Sequence, residues 1–341
     1  MACMMTLNIV AAHADRTITV DKPRISYYAS ATELTFDISY DEITEKVGIF
    51  HQYAERFLGT EATIKEDNHY YRLSQIVPTL SSAADTSVMV TLTEKFLKDN
   101  LISIDNNNCL TGINLTELAP QVSDALPAYK AEELLPIEKP FALHEEQLLA
   151  GSMSKMAEGT AKSIYRLREA RLNLLQGELE NMPSDVAAIE IMLRQINEQE
   201  QQLTAMFLGS RTITTHTKRI TYLPRLKEEN VVLFRFSKQH GLIDKDNLIA
   251  EPYYIDVKAE TTNIVNKTGE PYQLAKEDVV VYTEPADCRI TITDFANNKL
   301  LDFKCKMAQF GQRLTLPDIL IRRKAKVSIN AQTGQIIYIA K

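Results

Sequence analysis

Tryptophan is absent from the 341-residue chain, and glycine (11) and proline (12) are scarce. That scarcity excludes collagen-like repeats and Pro/Gly-rich low-complexity segments. Only four cysteines occur, Cys3, Cys109, Cys288 and Cys305, and none lies in a C-x-x-C pair. The spacing excludes the common zinc and thioredoxin-like motifs, and four are too few for a disulfide scaffold. No apolar run reaches the ~18–20 residues that cross a membrane. A basic excess is missing too. With 45 acids against 38 bases the formal net charge is -7, so the electrostatic footprint of a general nucleic-acid binder is lacking. Phosphate-loop, dinucleotide-fold, serine-hydrolase and zinc-protease signatures are also lacking. The sequence therefore calls for no cofactor and no metal.

What is present is a globular composition, 45% hydrophobic and 24% charged, long enough for about two to three domains. The opening MACMMTLNIVAAHAD is uncharged and mostly apolar up to His13, and Ala12-His13-Ala14 has the A-x-A form of a signal-peptidase site. A basic leading region is missing. The expectation is a clipped signal peptide over residues 1–14, a mature chain starting near Asp15, and export to the periplasm or the outer membrane.

Residues 25–40 alternate Leu34, Phe36, Ile38 and Tyr40 with Thr35, Asp37 and Ser39, the pattern of a half-buried strand. In EKVGIFHQYAERFLG, apolar residues fall at helical spacing and Gly59 fits a C-terminal cap. YYRLSQIV and TSVMVTL read as two strands, and IDNNNCLTGINL as a turn and an extended segment. Residues 119–153 hold four prolines and read as a linker. Residues 154–210 carry helical periodicity, broken between Gly177 and Asp185, and ending at Gly209. From 211 to 341, short β-branched runs alternate with turn signals, including a hairpin turn at NAQTGQ with Gly334 left-handed. The expected fold class is α+β. An N-terminal mixed domain (15–118) is followed by the linker, an antiparallel helical hairpin, and a C-terminal antiparallel β-rich, sandwich-like domain.

The segments YRLREARLNLLQGELENMPSD, LTAMFLG, TYLPRL and VVLFRFSKQHGLID, in that order, resemble an uncharacterised Bacteroidetes envelope-protein family, a domain of unknown function. The resemblance runs from the Tyr27 strand to the C-terminal hairpin. It implies export to the cell envelope and transfers no activity.

Among six scattered histidines, His240 stands closest in sequence to other chemistry: Arg235, Asp244 and Asp246. These four are the candidate binding residues, against the plainer reading of a structural turn. His51 borders an apolar helix face, and His144 lies in a polar stretch. DKDNLIAE at 244–251 lacks the oxygen ligand and glycine that a calcium loop needs at its fifth and sixth positions. LIRRKAKV at 320–327 reads as a strand whose Arg322, Lys324 and Lys326 share a solvated face. The sequons at Asn114 and Asn266 matter only in a eukaryotic secretory setting.

Two sets of residues read as structural. Arg168 and Arg171 fall inside the apolar stripe of Ile164, Leu167, Leu174 and Leu175. On the following helix Glu200 lies inside the facing stripe and Glu190 at its edge. A hairpin turning near residue 181 brings Arg171 level with Glu190 and Lys162 with Glu200. Embedded guanidinium groups need such partners, so the arginines are expected to clamp the helices or fasten them to a neighbour. Cys288 and Cys305 lie on matching faces of a hairpin turning at Asn297-Asn298. A four-residue loop would pair them directly; a two-residue loop would pair Ile290 with Cys305. Both are expected to be buried and close, as free thiols or as a disulfide.

The functional expectation is an exported envelope binding or scaffolding protein without catalysis, whose partner is an envelope protein or a glycan. The alternative is an envelope hydrolase acting on glycan or peptide at an interdomain cleft. It would require two convergent carboxylates, or a nucleophile with a base.

Overall fold

The computed structural model of the chain describes residues 24–115, 125–140, 151–177, 185–225, 228–260 and 278–340. Ala12–Ala14, His144 and Asn266 lie outside these residues. The strands in chain order are β1 (Ile25–Lys46), β2 (Asn68–Leu92), β3 (Ile102–Ile104), β4 (Leu110–Ile113), β5 (Tyr129–Lys130), β6 (Ser210–Tyr222), β7 (Val231–Ser237), β8 (Gly241–Ile243), β9 (Glu251–Ala259), β10 (Val281–Thr293), β11 (Lys299–Thr315), β12 (Lys326–Ile329) and β13 (Ile336–Ala340). The helices are α1 (Ala54–Leu58), α2 (Glu94–Asp99), α3 (Met153–Gln176), α4 (Val186–Leu208) and α5 (Asp318–Arg322). The protein is α+β.

The strands form three antiparallel sheets. The first has the order β5-β2-β1-β6, the second β11-β10-β9-β7-β8, and the third β13-β12-β4-β3. Pairing crosses the expected domain limits: β1 pairs with β6, and β4 with β12. The expected strand at 25–40 extends to Lys46, and the two expected strands after residue 68 are one, β2. β2 stays in register with β1 by bulging at two places, opposite Tyr28/Ala29 and opposite Ser39/Tyr40.

Alternation along β1 sets the main core. Leu34, Phe36 and Ile38 are buried together with Phe234, Phe236, Ile255, Ile290 and Phe303 of the second sheet. Each such side chain contributes about 1.5–3 kcal/mol by leaving water. A second cluster forms at the start of β1, where Tyr27 meets Val90, Leu92, Ile113, Val281 and Val327. There the buried Tyr27 hydroxyl accepts the Val281 N–H at 2.9 Å, and burial pushes its pKa well above the ordinary phenol value.

After β1 the chain does not form the long helix its spacing predicts. It turns at Val47–Phe50 and makes only a short 3-10 turn (His51–Tyr53) and α1, closed by left-handed Gly59. The apolar residues at helical spacing serve docking instead: Phe50 and Ala54 pack against Ala157, Ala161 and Ile164 of α3 and Leu203, Met206 and Phe207 of α4. A Cβ at Gly48 would sit 2.5 Å from the Met206 carbonyl oxygen, so only glycine allows this approach. Ser152 caps α3 by accepting from Lys155 N–H, Gly177 closes it left-handed, and Asp185 caps α4 through Ala187 N–H.

Residues 318–325 depart from the expected strand. Pro317 precedes the α5 turn, Lys324 is left-handed (φ 53), and the strand begins only at Lys326. Arg322, Lys324 and Lys326 therefore share no strand face. Pro317 at the helix start, a position that lacks no needed N–H, explains the change.

Candidate functional site

β6 is the outermost strand of the first sheet on its side. It is threonine-rich and β-branched, hence extended, and Thr35–Lys46 of β1 hold it in unbroken register. Arg211 exchanges both backbone hydrogen bonds with Ile137, each at 3.0 Å, on the side facing away from β1. In an antiparallel ladder, alternate residues direct their N–H and C=O to opposite sides. Ile213, Thr215, Thr217, Arg219 and Thr221 therefore point away from β1 as Arg211 does. Among the described residues no strand pairs with the edge from Ile213 to Thr221.

Next to this edge lies a groove of about 660 Å³. One wall is β6 from Lys218 to Tyr222. The other is the start of β7 (Val231–Phe234) and the chain leaving β8 (Asp244–Asp246). Charges line it. Lys218 pairs with Asp244 at 3.0 Å, and Arg219 forms a two-pronged bond with Asp37 at 2.7 and 2.8 Å. The Tyr222 hydroxyl donates to Glu228, and Arg225 and Lys245 add positive charge.

Two residues further along the same face of β6, His216 joins a polar cluster. Its Nε2 bonds one oxygen of Glu42 at 2.9 Å, and His69 Nε2 bonds the other at 2.9 Å. These two ring bonds hold the Glu42 carboxyl below its usual range. Tyr40 stacks on His216 with centroids 5.4 Å apart, and Tyr71 meets His69 edge-on at 5.3 Å. Glu42 thus ties β2 and β6 together across β1. Both of its oxygens are taken, and no group of three or more His, Cys, Asp or Glu among the described residues is arranged to hold a metal ion.

The four candidate residues are partly brought together. Arg235 donates from Nε to the Lys245 carbonyl at 2.7 Å and from Nη1 to the Ala250 carbonyl at 2.9 Å, fastening the loop after β8. That loop carries Asp244 and Asp246 to the groove. His240 is exposed in the turn before β8, and among the described residues no hydrogen bond joins it to the other three. Its neighbour Gly241 packs against the rings of Tyr40 and Tyr71, a left-handed position (φ 69) with no room for a side chain. The His51 ring bonds the Gly48 carbonyl through Nδ1 at 3.0 Å.

The arginine pair converges on one carboxylate. Arg168 Nε reaches Glu200 Oε1 at 2.6 Å, and Arg171 Nη1 reaches Glu200 Oε2 at 2.8 Å and Asn197 Oδ1 at 3.1 Å. Glu190 is exposed, and Lys162 pairs with Glu158 within its own helix. The register differs from the expected one: apolar contacts at the docked end of the helices fix which residues lie level. Cys288 and Cys305 face each other directly; the hairpin closes at Thr293 and Lys299, and a bulge at Leu300 gives the register expected of a four-residue loop. Cys288 is fully buried and Cys305 only partly.

The Glu42, His69 and His216 cluster was missed from sequence because its members lie far apart in the chain. The usable signal was Glu42 itself, a charged residue on the face of β1 that otherwise carries Leu34, Phe36 and Ile38. Among the described residues no helix is long and apolar enough to cross a membrane. No curated protein and no solved structure matches the chain. Over residues 24–337 it matches one family, and the chain belongs to it: Domain of unknown function (DUF4831).

Proposed function

We propose that this is an exported, non-catalytic binding or scaffolding protein of the bacterial envelope that takes up an extended polypeptide segment along the free edge of β6. The observation that carries this reading is that edge: outward N–H and C=O groups from Ile213 to Thr221 beside an open groove. A guest strand satisfies such groups by main-chain bonding, and alternate guest side chains enter flanking pockets. Polypeptide fits better than glycan, since only a peptide backbone repeats donors and acceptors at the spacing of a strand. Arg225 and Lys245, which add positive charge to the groove, favour a guest with acidic side chains. Charged residues on an edge also suppress unwanted pairing between copies. In this reading the facing sheets form a sandwich scaffold and the two long helices an antiparallel hairpin arm. Export is supported by the leader-like opening of the sequence and by the envelope resemblance.

A second reading, hydrolysis of envelope glycan or peptide, rests on Glu42 with its two histidines. The geometry is less favourable to it. Both carboxylate oxygens are engaged, and the cluster does not line the groove.

The test uses a blocked nine-residue peptide alternating threonine and glutamate, with its lysine counterpart as control, read by fluorescence anisotropy. The glutamate peptide should bind, and Thr217→Pro, which removes one outward N–H, should weaken binding at least tenfold. Equal binding by wild type and Thr217→Pro would remove the edge from the account.

A further inference from the structure

We propose that Cys288 and Cys305 form a dithiol–disulfide couple that can cross-link β10 to β11. The two residues are direct partners in the antiparallel register. Glu260 N–H bonds the Asp287 carbonyl, so Asp287 directs its backbone to β9 and Cys288 directs its own to β11. Cys288 and Cys305 are therefore a hydrogen-bonded pair, for which Cα atoms lie about 5.5 Å apart. That Cα separation is within the range a disulfide bridges, and directly opposed side chains project from the same face; the Cβ atoms of such a pair stand about 5.5 Å apart, so closing the bond draws the two strands together locally. Both thiols are free, and both belong to the apolar cluster between the first and second sheets. The inference is independent of strand capture at β6.

The chemistry is thiol–disulfide exchange with an external small-molecule disulfide. Cys305, the partly exposed member, loses its proton to solvent and attacks one sulfur of the external disulfide. That S–S bond breaks, one external thiolate leaves, and a mixed disulfide remains on Cys305. Cys288 then loses its proton and attacks the Cys305 sulfur, releasing the second external thiolate. Two protein thiols are oxidised to one disulfide, and one external disulfide is reduced to two thiols. Burial pushes both thiols up to about 12, and for Cys288 the neighbouring Cys305 adds to the rise. Few thiolates exist at neutral pH, so exchange in the folded chain is slow, and the bond closes most readily while β11 is folding onto β10.

The experiment refolds the reduced full-length chain in mixtures of oxidised and reduced glutathione. Remaining thiols are then alkylated in denaturant for intact mass and peptide mapping. The expected result is loss of two alkylation sites, a mass lower by about 2 Da before alkylation, and one cross-linked peptide joining Cys288 to Cys305. Cys305→Ser should refold and show no such loss, and Cys109 should stay alkylatable in both proteins. Full alkylation of Cys288 and Cys305 at every glutathione ratio would overturn the proposal. So would a cross-link from either residue to Cys109.

Discussion

Along β2 the free side of the first sheet is covered at several points. Tyr71 N–H bonds the Lys238 carbonyl, and the Ser74 carbonyl takes Ala131 N–H. β5 pairs at Gln75 and Ile76. Further on, the Leu80 and Ser82 carbonyls accept from the side-chain amides of Gln332 and Asn107. Along β6, on the opposite side of the same sheet, closure among the described residues stops at Arg211. The strap of residues 131–137 reaches from the β2 edge to the β6 edge and bonds β6 at one residue, Arg211. The comparison teaches that this fold can cover an edge with whatever is at hand: a two-residue strand, a turn carbonyl, a side-chain amide. Among the described residues the stretch from Ile213 to Thr221, beside a groove, has no strand partner on its outward side, in contrast to the covered points of β2. An unpaired N–H in water costs nothing, but it is ready to bond.

The largest effect should separate neighbouring positions on β6. His216 directs its N–H to β1 and its ring to Glu42, so His216→Pro should lose about 3 kcal/mol in urea unfolding. Thr217 directs its N–H outward and loses only the bond of its hydroxyl to Ser39. Thr217→Pro should therefore cost about 1 kcal/mol or less. Equal losses would mean that the outward side of β6 is paired after all. On the sealed edge, Asn107→Ala removes the bonds to the Ser82 carbonyl and hydroxyl. It should cost about 1 kcal/mol, whereas Thr221→Ala on the open edge should be close to neutral. The smallest effect concerns Glu42, which joins the sealed strand to the open one. Its folded carboxyl sits below its ordinary range because the His69 and His216 ring bonds favour the charged form. That stability is fully present above the ordinary carboxylate value and is lost as pH falls through the lower folded value. Glu42→Gln should thus flatten the acid side of the stability profile slightly. An unchanged acid limb would show the clamp to be without effect.

Local pattern carried much of this architecture. The alternation from Leu34 to Tyr40 names the buried face of β1, and Gly59, Gly177 and Asp185 mark helix ends by the backbone geometry and capping they supply. The spacing of Cys288 and Cys305 around Asn297-Asn298 leaves two registers, and a bulge beside the closing pair Thr293 and Lys299 sets the one that pairs the two cysteines. What local pattern lacks is the identity of distant partners. Nothing in THTKRIT says that it pairs with Thr35–Asp41, or that its far side has no strand partner among the described residues. The helix register has a related cause. Counting from the turn sets Arg171 level with Glu190, while Ala161, Ile164, Leu203 and Phe207 at the other end decide the alignment. LIRRKAKV read as a strand because its alternation is plausible, but Pro317 starts a helical turn that overrides it. His69, Glu42 and His216 meet only once three strands are side by side, so the candidate site was legible in its residue types and not in its composition.

Residue-resolved amide hydrogen exchange on β6 tests the central claim most directly. In the isolated protein Thr214, His216, Lys218 and Ile220 should be protected by β1, while Ile213, Thr215, Thr217, Arg219 and Thr221 exchange at rates near those of open chain. Adding the threonine–glutamate peptide should slow the second set and leave the first unchanged. Protection of the second set in the isolated protein, or its indifference to the peptide, would contradict an open edge built to receive a strand.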